Sequence, residues 1–321
     1  MVSGASFPSV HPLGKIFLYV AAVLLSGALA APQAWNLIHL LPADLFHGFA
    51  GQVQGMPFHR YFSRSLQVSA IILLLPLLRS LRIRSLREFG LLPNPRPWKD
   101  LGIGLIAGCF CMGLLMPLLL GFGFYAPRPE AFSLMTHALP RILSTAVAVA
   151  LLEEFLFRGV LLGFFRQVML APVAVIGSAL IFASVHFLHF SSPSSADLAP
   201  RWWSGFEMFG GIGRSLPPFG IFFWAFSTLF VAGLILGWLT VRTASLYPAI
   251  GLHVVWILGQ QLFNKGALYQ VTPPGGLLPL IGPSQCSGMV PVGILPLLCL
   301  ILAGSLAILL LRKRARHPEF I

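Results

Sequence analysis

Charge, and negative charge above all, is what this chain has least of: nine Asp and Glu stand against 21 Lys and Arg in 321 residues, and charged residues total 9%. An ordinary soluble domain carries roughly a quarter, so a water-solvated globule is excluded. Disorder is excluded too, because 57% of the residues are hydrophobic and that much apolar surface does not stay solvated. Cysteine is also sparse. Cys109, Cys111 and Cys299 lie inside apolar runs and Cys286 in a loop, a spacing that offers neither a disulfide framework nor a cysteine zinc site. No polar domain gathers the basic excess, so nucleic acid is not an expected partner. The net charge of +12 sits at the edges of apolar runs, where it orients membrane helices.

Windows long enough to cross about 30 Å of hydrocarbon as helix predict an all-α, polytopic membrane helix bundle of eight spans. They run Leu13 to Ala31, Leu66 to Leu81, Leu101 to Phe124, Arg141 to Phe165, Pro172 to Phe190, Pro218 to Thr240, Leu246 to Phe263 and Val290 to Leu311. The loop from Arg79 to Lys99 is strongly basic and is expected on the cytoplasmic side. Alternation then puts both termini there, with Lys15 ahead of the first span and the tail Arg312 to Arg316 as a stop-transfer and anionic-lipid signal. Ile16 to Leu25 followed by Ala28-Leu29-Ala30 resembles a signal peptide, but the long preceding region has one base, Lys15, which favours an uncleaved first span. No fixed-period repeat stands out, so residues 1–321 read as one integral-membrane domain.

Ionisable groups at mid-span cost about 2.5–3.5 kcal/mol each on insertion scales, so they are the informative residues. They concentrate in the fourth span (Glu153, Glu154, Arg158), the fifth (His186, His189) and the seventh (His253, Gln260). Positions four apart share a helix face. Glu154 is therefore expected to meet Arg158 in a clamp whose loss strands a buried charge. Glu153 points elsewhere, without a local cation, and is available as a general base. A bundle could bring His186 and His253 to Glu153 around one water. The carboxylate with one imidazole can then deprotonate that water, and a second donor can hold the oxyanion formed when it attacks a carbonyl. Glu153, His186 and His253 are also ligand types suited to zinc, although the H-E-x-x-H helix of soluble metalloproteases is absent.

At these residues the sequence resembles the CPBP family of intramembrane proteases, which includes the CAAX prenyl endopeptidases. The resemblance spans roughly Arg141 to Phe263. Its first motif is met by Glu153, Glu154 and Arg158, and its second by Phe182 and His186. Its third, a histidine with Asn or Asp usually four positions on, is met at His253 but departed from at Ile257. The resemblance implies Glu153 as the base acting with His186, His253 as oxyanion donor, and Glu154 with Arg158 as the ordering pair. With no Asn at 257, oxyanion stabilisation is expected to be weaker or to come from another donor, for which Gln260, seven residues beyond His253 and near the same face, is the best candidate. It implies a membrane-associated or lipid-modified, CAAX-like protein or peptide as substrate and membrane lipids as surroundings. The family admits a metal-free glutamate mechanism or a zinc-dependent one.

Other polar residues have plainer readings. Phe182 is expected to serve packing, and His189 to be a polar residue at a span boundary. His39, His47, His59 and His137 are solvated or interfacial, and Trp202 with Trp203 beside Arg201 suits an interface anchor. The alternative to an endopeptidase is a non-hydrolytic membrane protein. It would be a proton-coupled transporter using Glu153 and the histidines as a relay, or a catalytically silent member that binds peptides or confers immunity, which Ile257 favours.

Overall fold

The computed structural model describes residues 12–45, 49–81, 85, 87, 93–188, 199–215, 217–271, 277–282 and 292–311. In chain order its elements are α1 (Pro12–His39), α2 (Phe49–Gln54), α3 (Phe58–Ser80), α4 (Pro97–Gly121), β1 (Tyr125–Pro127), α5 (Ala131–Glu153), a π-helix (Glu154–Leu161), α6 (Leu162–Val168), α7 (Ala171–Val185), α8 (Ser204–Glu207), a 3-10 helix (Met208–Ser215), α9 (Phe219–Thr243), α10 (Tyr247–Gly266), β2 (Ala267–Tyr269) and α11 (Ile294–Leu311). The protein is thus an all-α polytopic bundle with one small ribbon. Among the described residues β1 and β2 are the only strands, paired antiparallel with Tyr125 opposite Tyr269.

Among the described residues, five helices are long and apolar enough to cross a membrane: Gly14–His39, Phe58–Ser80, Pro97–Gly121, Phe219–Thr243 and Ile294–Leu311. The three segments expected to hold the chemistry differ from the simple spans of the sequence reading. The fourth is broken by the π-helix, and the fifth is a helix of 15 residues, Ala171–Val185. At 1.5 Å per residue that is roughly 22 Å, short of the hydrocarbon thickness. The seventh, α10, carries polar side chains that interrupt its apolar run.

Contacts divide the chain into two compact units, Met1–Arg84 with Leu188–Leu216, and Ser85–Phe187 with Pro217–Ile321. In the first, α1 packs along α3. The Tyr19 hydroxyl donates to the Ala70 carbonyl at 2.8 Å, and Ala28 and Ala31 are fully buried against Phe62 and Met208. Helix α1 runs unbroken through Ala28-Leu29-Ala30. There small residues serve close packing, since a Cβ on Gly205 would run into the Ala28 carbonyl.

In the second unit α10 packs against α4 and α5, α11 against α4 and α9, and α7 against α9. Prolines in the first turns of α4, α7 and α10 begin these helices where an amide proton would go unused. Helices α4 and α10 approach closely because Gly104 and Gly251 lack side chains: a Cβ on either would strike the other helix's backbone, at the Pro248 and Leu101 carbonyls respectively. The contact region continues into a core that includes Leu115, Leu119, Leu236, Leu239 and Leu252. These helices fix α10 as the rigid wall that presents His253 and Gln260.

Candidate active site

The site is built around the end of α5. Glu153 is its last residue, and Glu154 opens the π-helix. The widened turn leaves the Phe157 carbonyl to a longer-range donor. That oxygen accepts from the Leu162 amide and from the Ser178 hydroxyl on α7 at 3.1 Å, so the backbone stays satisfied. Arg158 Nη1 donates to Glu154 Oε1 at 2.9 Å, with side chains 1% and 0% exposed. The guanidinium lies 4.2 Å over the face of Phe182, a geometry that stabilises a desolvated cation. Phe182 in turn meets the His186 ring at 4.6 Å and the Phe157 ring at 5.2 Å, both edge to face.

Each histidine is oriented through Nδ1. His186 Nδ1 lies 2.7 Å from the Phe182 carbonyl, and His253 Nδ1 lies 2.8 Å from Glu154 Oε1. Carbonyl and carboxylate oxygens only accept, so both Nδ1 atoms donate, and each ring when neutral has its lone pair at Nε2. Both Nε2 atoms face Glu153: each is 3.8 Å from Glu153 Oε2. That oxygen is buried and makes no direct hydrogen bond. The three side chains predicted to converge do meet, at a separation too long for direct hydrogen bonds.

Beside the imidazoles lies a cavity of about 50 Å3 whose lining includes the polar groups of His186, His253, Gln260 and Thr228, the indole of Trp256, and apolar side chains including Phe182, Leu115, Leu236, Ile257 and Leu300. Gln260 thus shares the chamber with His253, as its helical spacing implies, and Ile257 stands in the same wall. Among the described residues no three His, Cys, Asp or Glu side chains are disposed to hold a metal ion.

Three features of this geometry were not legible in the sequence. The π-helix has no local signal. The Glu154 to His253 bond joins residues 99 apart in sequence, so the expected Glu154–Arg158 pair is a chain of three, Arg158–Glu154–His253. Phe182 packs, as expected, but also carries Arg158 on its face and gives its carbonyl to His186; the four-residue spacing of Phe182 and His186 was the available clue. His39 stacks on Trp35 at 3.6 Å and bonds to its carbonyl, and His137 lies beside Ser133 on the surface of α5. Arg201 lies over the Trp203 ring at 5.2 Å. His47, His189, Cys286 and Arg312 to Arg316 lie outside the described residues.

The site of this helical membrane protein is thus a carboxylate, Glu153, facing two oriented imidazoles that border an apolar chamber. Residues 135–258 match the family model described as Type II CAAX prenyl endopeptidase Rce1-like, which supports the resemblance to the CPBP and CAAX protease family. The matched segment contains Glu153, Glu154, Arg158, Phe182, His186 and His253, and stops short of Gln260. The match supports, in general terms, an integral-membrane endopeptidase of the CAAX type. No curated protein and no solved structure matches the chain.

Proposed function

We propose that the chain is an intramembrane endopeptidase that cleaves a peptide bond of a membrane-associated protein or peptide with a water activated by Glu153. The observation that carries this reading is the placement of Glu153 Oε2 at 3.8 Å from the Nε2 atoms of both His186 and His253. Glu153 removes a proton from water while His186 Nε2 accepts the water's other hydrogen. The nascent hydroxide oxygen bonds to the scissile carbonyl carbon, and the carbonyl π electrons move to oxygen. When its Nε2 carries a proton, His253 donates to that oxyanion through it, and Gln260 supplies a second donor. Collapse of the tetrahedral species breaks the C–N bond, and the proton held by Glu153 passes to the leaving nitrogen.

Glu154, Arg158 and Phe182 do not touch the reacting atoms on this reading; they hold both imidazoles in register. No step passes through a metal ion. The test is Glu153→Gln, which keeps shape and removes the base. The expected result is a fall in turnover of about 10²–10⁴-fold, the usual contribution of a general base, with unchanged thermal stability. Comparative membrane proteomics of cells carrying wild type and variant would identify the substrate as the protein that accumulates uncleaved. Equal turnover by the variant would remove Glu153 from the mechanism. Ile257 in the chamber wall favours the second reading, a peptide-binding protein without hydrolysis, which predicts no cleavage by either form.

A further inference from the structure

Neighbouring residues of α10 face different surroundings. Ile257 packs with Val254 against Ala146 and Ala150 of α5. Trp256, one position earlier, belongs instead to the core that holds Cys111, Met112 and Leu115 of α4 and Leu300 of α11. His253, Trp256 and Gln260 stand three and then four residues apart, a spacing that forms one stripe along a helix, and all three line the chamber beside the imidazoles. The indole is 6% exposed, and close packing of this kind leaves a side chain little room to turn.

Trp256 Nε1 is buried without a hydrogen-bond partner. An indole N–H only donates, and a buried one usually finds an acceptor. The Cys111 thiol lies near enough to interact with it but not in hydrogen-bond geometry, and sulfur accepts weakly in any case. Packing alone does not account for this arrangement, because a phenyl ring would fill an apolar core without leaving a donor unused. A donor fixed in a low-dielectric wall, with no strong acceptor to give up, is instead the form that stabilises charge developing during a reaction: its orientation is set beforehand and costs nothing when the charge appears.

We propose that the indole N–H of Trp256 is a further donor to the oxyanion, acting beside His253 and Gln260. This rests on the endopeptidase reading above. As the water oxygen bonds to the scissile carbonyl carbon, the carbonyl π pair moves to oxygen, and that oxygen accepts the hydrogen bond that the Cys111 sulfur does not hold. No proton leaves the indole. When the tetrahedral species collapses and the C–N bond breaks, the carbonyl re-forms and the N–H is released unchanged. Trp256 thus places a donor next to Ile257, whose own side chain has none.

Trp256→Phe keeps an aromatic ring in the core and removes the N–H. The full-length protein in detergent is assayed with a library of apolar peptides, and Trp238→Phe, at a position 41% exposed on α9, controls for loss of a tryptophan. The expected fall in kcat for Trp256→Phe is about 10²–10³-fold, the usual effect of removing one oxyanion donor, with KM little changed and kcat of the control unaltered. A second measurement follows the N–H itself in wild type labelled with 15N at its indoles. The Trp256 resonance is assigned by elimination from single Phe variants of the other six tryptophans, so it is read even if Trp256→Phe does not fold. It should move downfield on saturation with phosphinate isosteres of the library peptides, whose tetrahedral P–O⁻ stands in for the oxyanion. An unmoved resonance, or an unchanged kcat in a folded Trp256→Phe, overturns the donor while leaving the endopeptidase standing. A moved resonance with no cleavage by wild type supports the donor and overturns the endopeptidase. Neither cleavage nor a moved resonance overturns both.

Discussion

Replacing Arg158 by Met should destabilise the protein far more than loss of a surface charge. The guanidinium is 1% exposed, its partner Glu154 is 0% exposed, and they meet at 2.9 Å. Removing one member of such a pair leaves an uncompensated buried charge, at about 3–5 kcal/mol, whereas exposed pairs are worth about 0–1 kcal/mol. At roughly 2–4 °C per kcal/mol, the melting temperature in detergent should fall by about 6–20 °C. His253 Nδ1 remains bonded to Glu154 Oε1 at 2.8 Å, which sets the fall nearer the lower figure. The double variant Glu154→Gln/Arg158→Met removes both charges and leaves an amide oxygen for His253 Nδ1, so it should recover part of the loss. Arg158→Lys should fall between, because an ammonium keeps the charge but cannot spread over the Phe182 ring 4.2 Å away. Intrinsic tryptophan fluorescence during heating reads all four proteins. An Arg158→Met protein melting within about 2 °C of wild type, or a double variant less stable than that single one, would refute the buried-pair reasoning.

At the α4–α10 contact, Gly104→Leu forces a side chain into the Pro248 carbonyl and should cost about 1–3 kcal/mol or more through overpacking; a variant melting like wild type would mean the helices separate freely. Gln260→Leu removes the proposed second oxyanion donor and should lower kcat by about 10²-fold with KM little changed, so an unaltered kcat would remove Gln260 from the oxyanion site. Exhaustive chelation should leave turnover intact; a loss reversed by added zinc would instead make Glu153, His186 and His253 a ligand set.

The general architecture and the membership of the site were legible because both rest on short-range rules. Hydropathy over 19-residue windows finds α1, α3, α4, α9 and α11, and four-residue helical spacing pairs Glu154 with Arg158. What the sequence could not carry were facts that depend on helices meeting. The hydrogen bond of His253 to Glu154 crosses 99 positions, and nothing local to either residue distinguishes it from a bond to Glu153. The tautomers of both imidazoles follow from these contacts, so they were equally hidden. Hydropathy also treats each span as uniform, whereas the segments that build the site are a broken helix, a short helix and a polar one. Function costs those segments the apolar regularity by which spans are recognised.

The π-helix illustrates why a correct pair can hide an unexpected backbone. Residues four apart remain neighbours on a helix of either kind, so Glu154 and Arg158 touch whether or not the turn is widened, and their spacing cannot report it. The backbone can, because in a hydrocarbon surrounding each unsatisfied polar group costs several kcal/mol and a widened turn must find replacements for the bonds it gives up. Here the replacements come from two directions, the Leu162 amide along the chain and the Ser178 hydroxyl on α7. The second of these ties the π-helix to the same short helix that ends at His186. Widened turns are frequent at functional sites, and the reason at this one is geometric: α7 is held to the π-helix by Ser178 and by the Arg158–Phe182 stack, so Glu153 and His186 are set against each other by the very contacts that keep the irregular turn from unwinding.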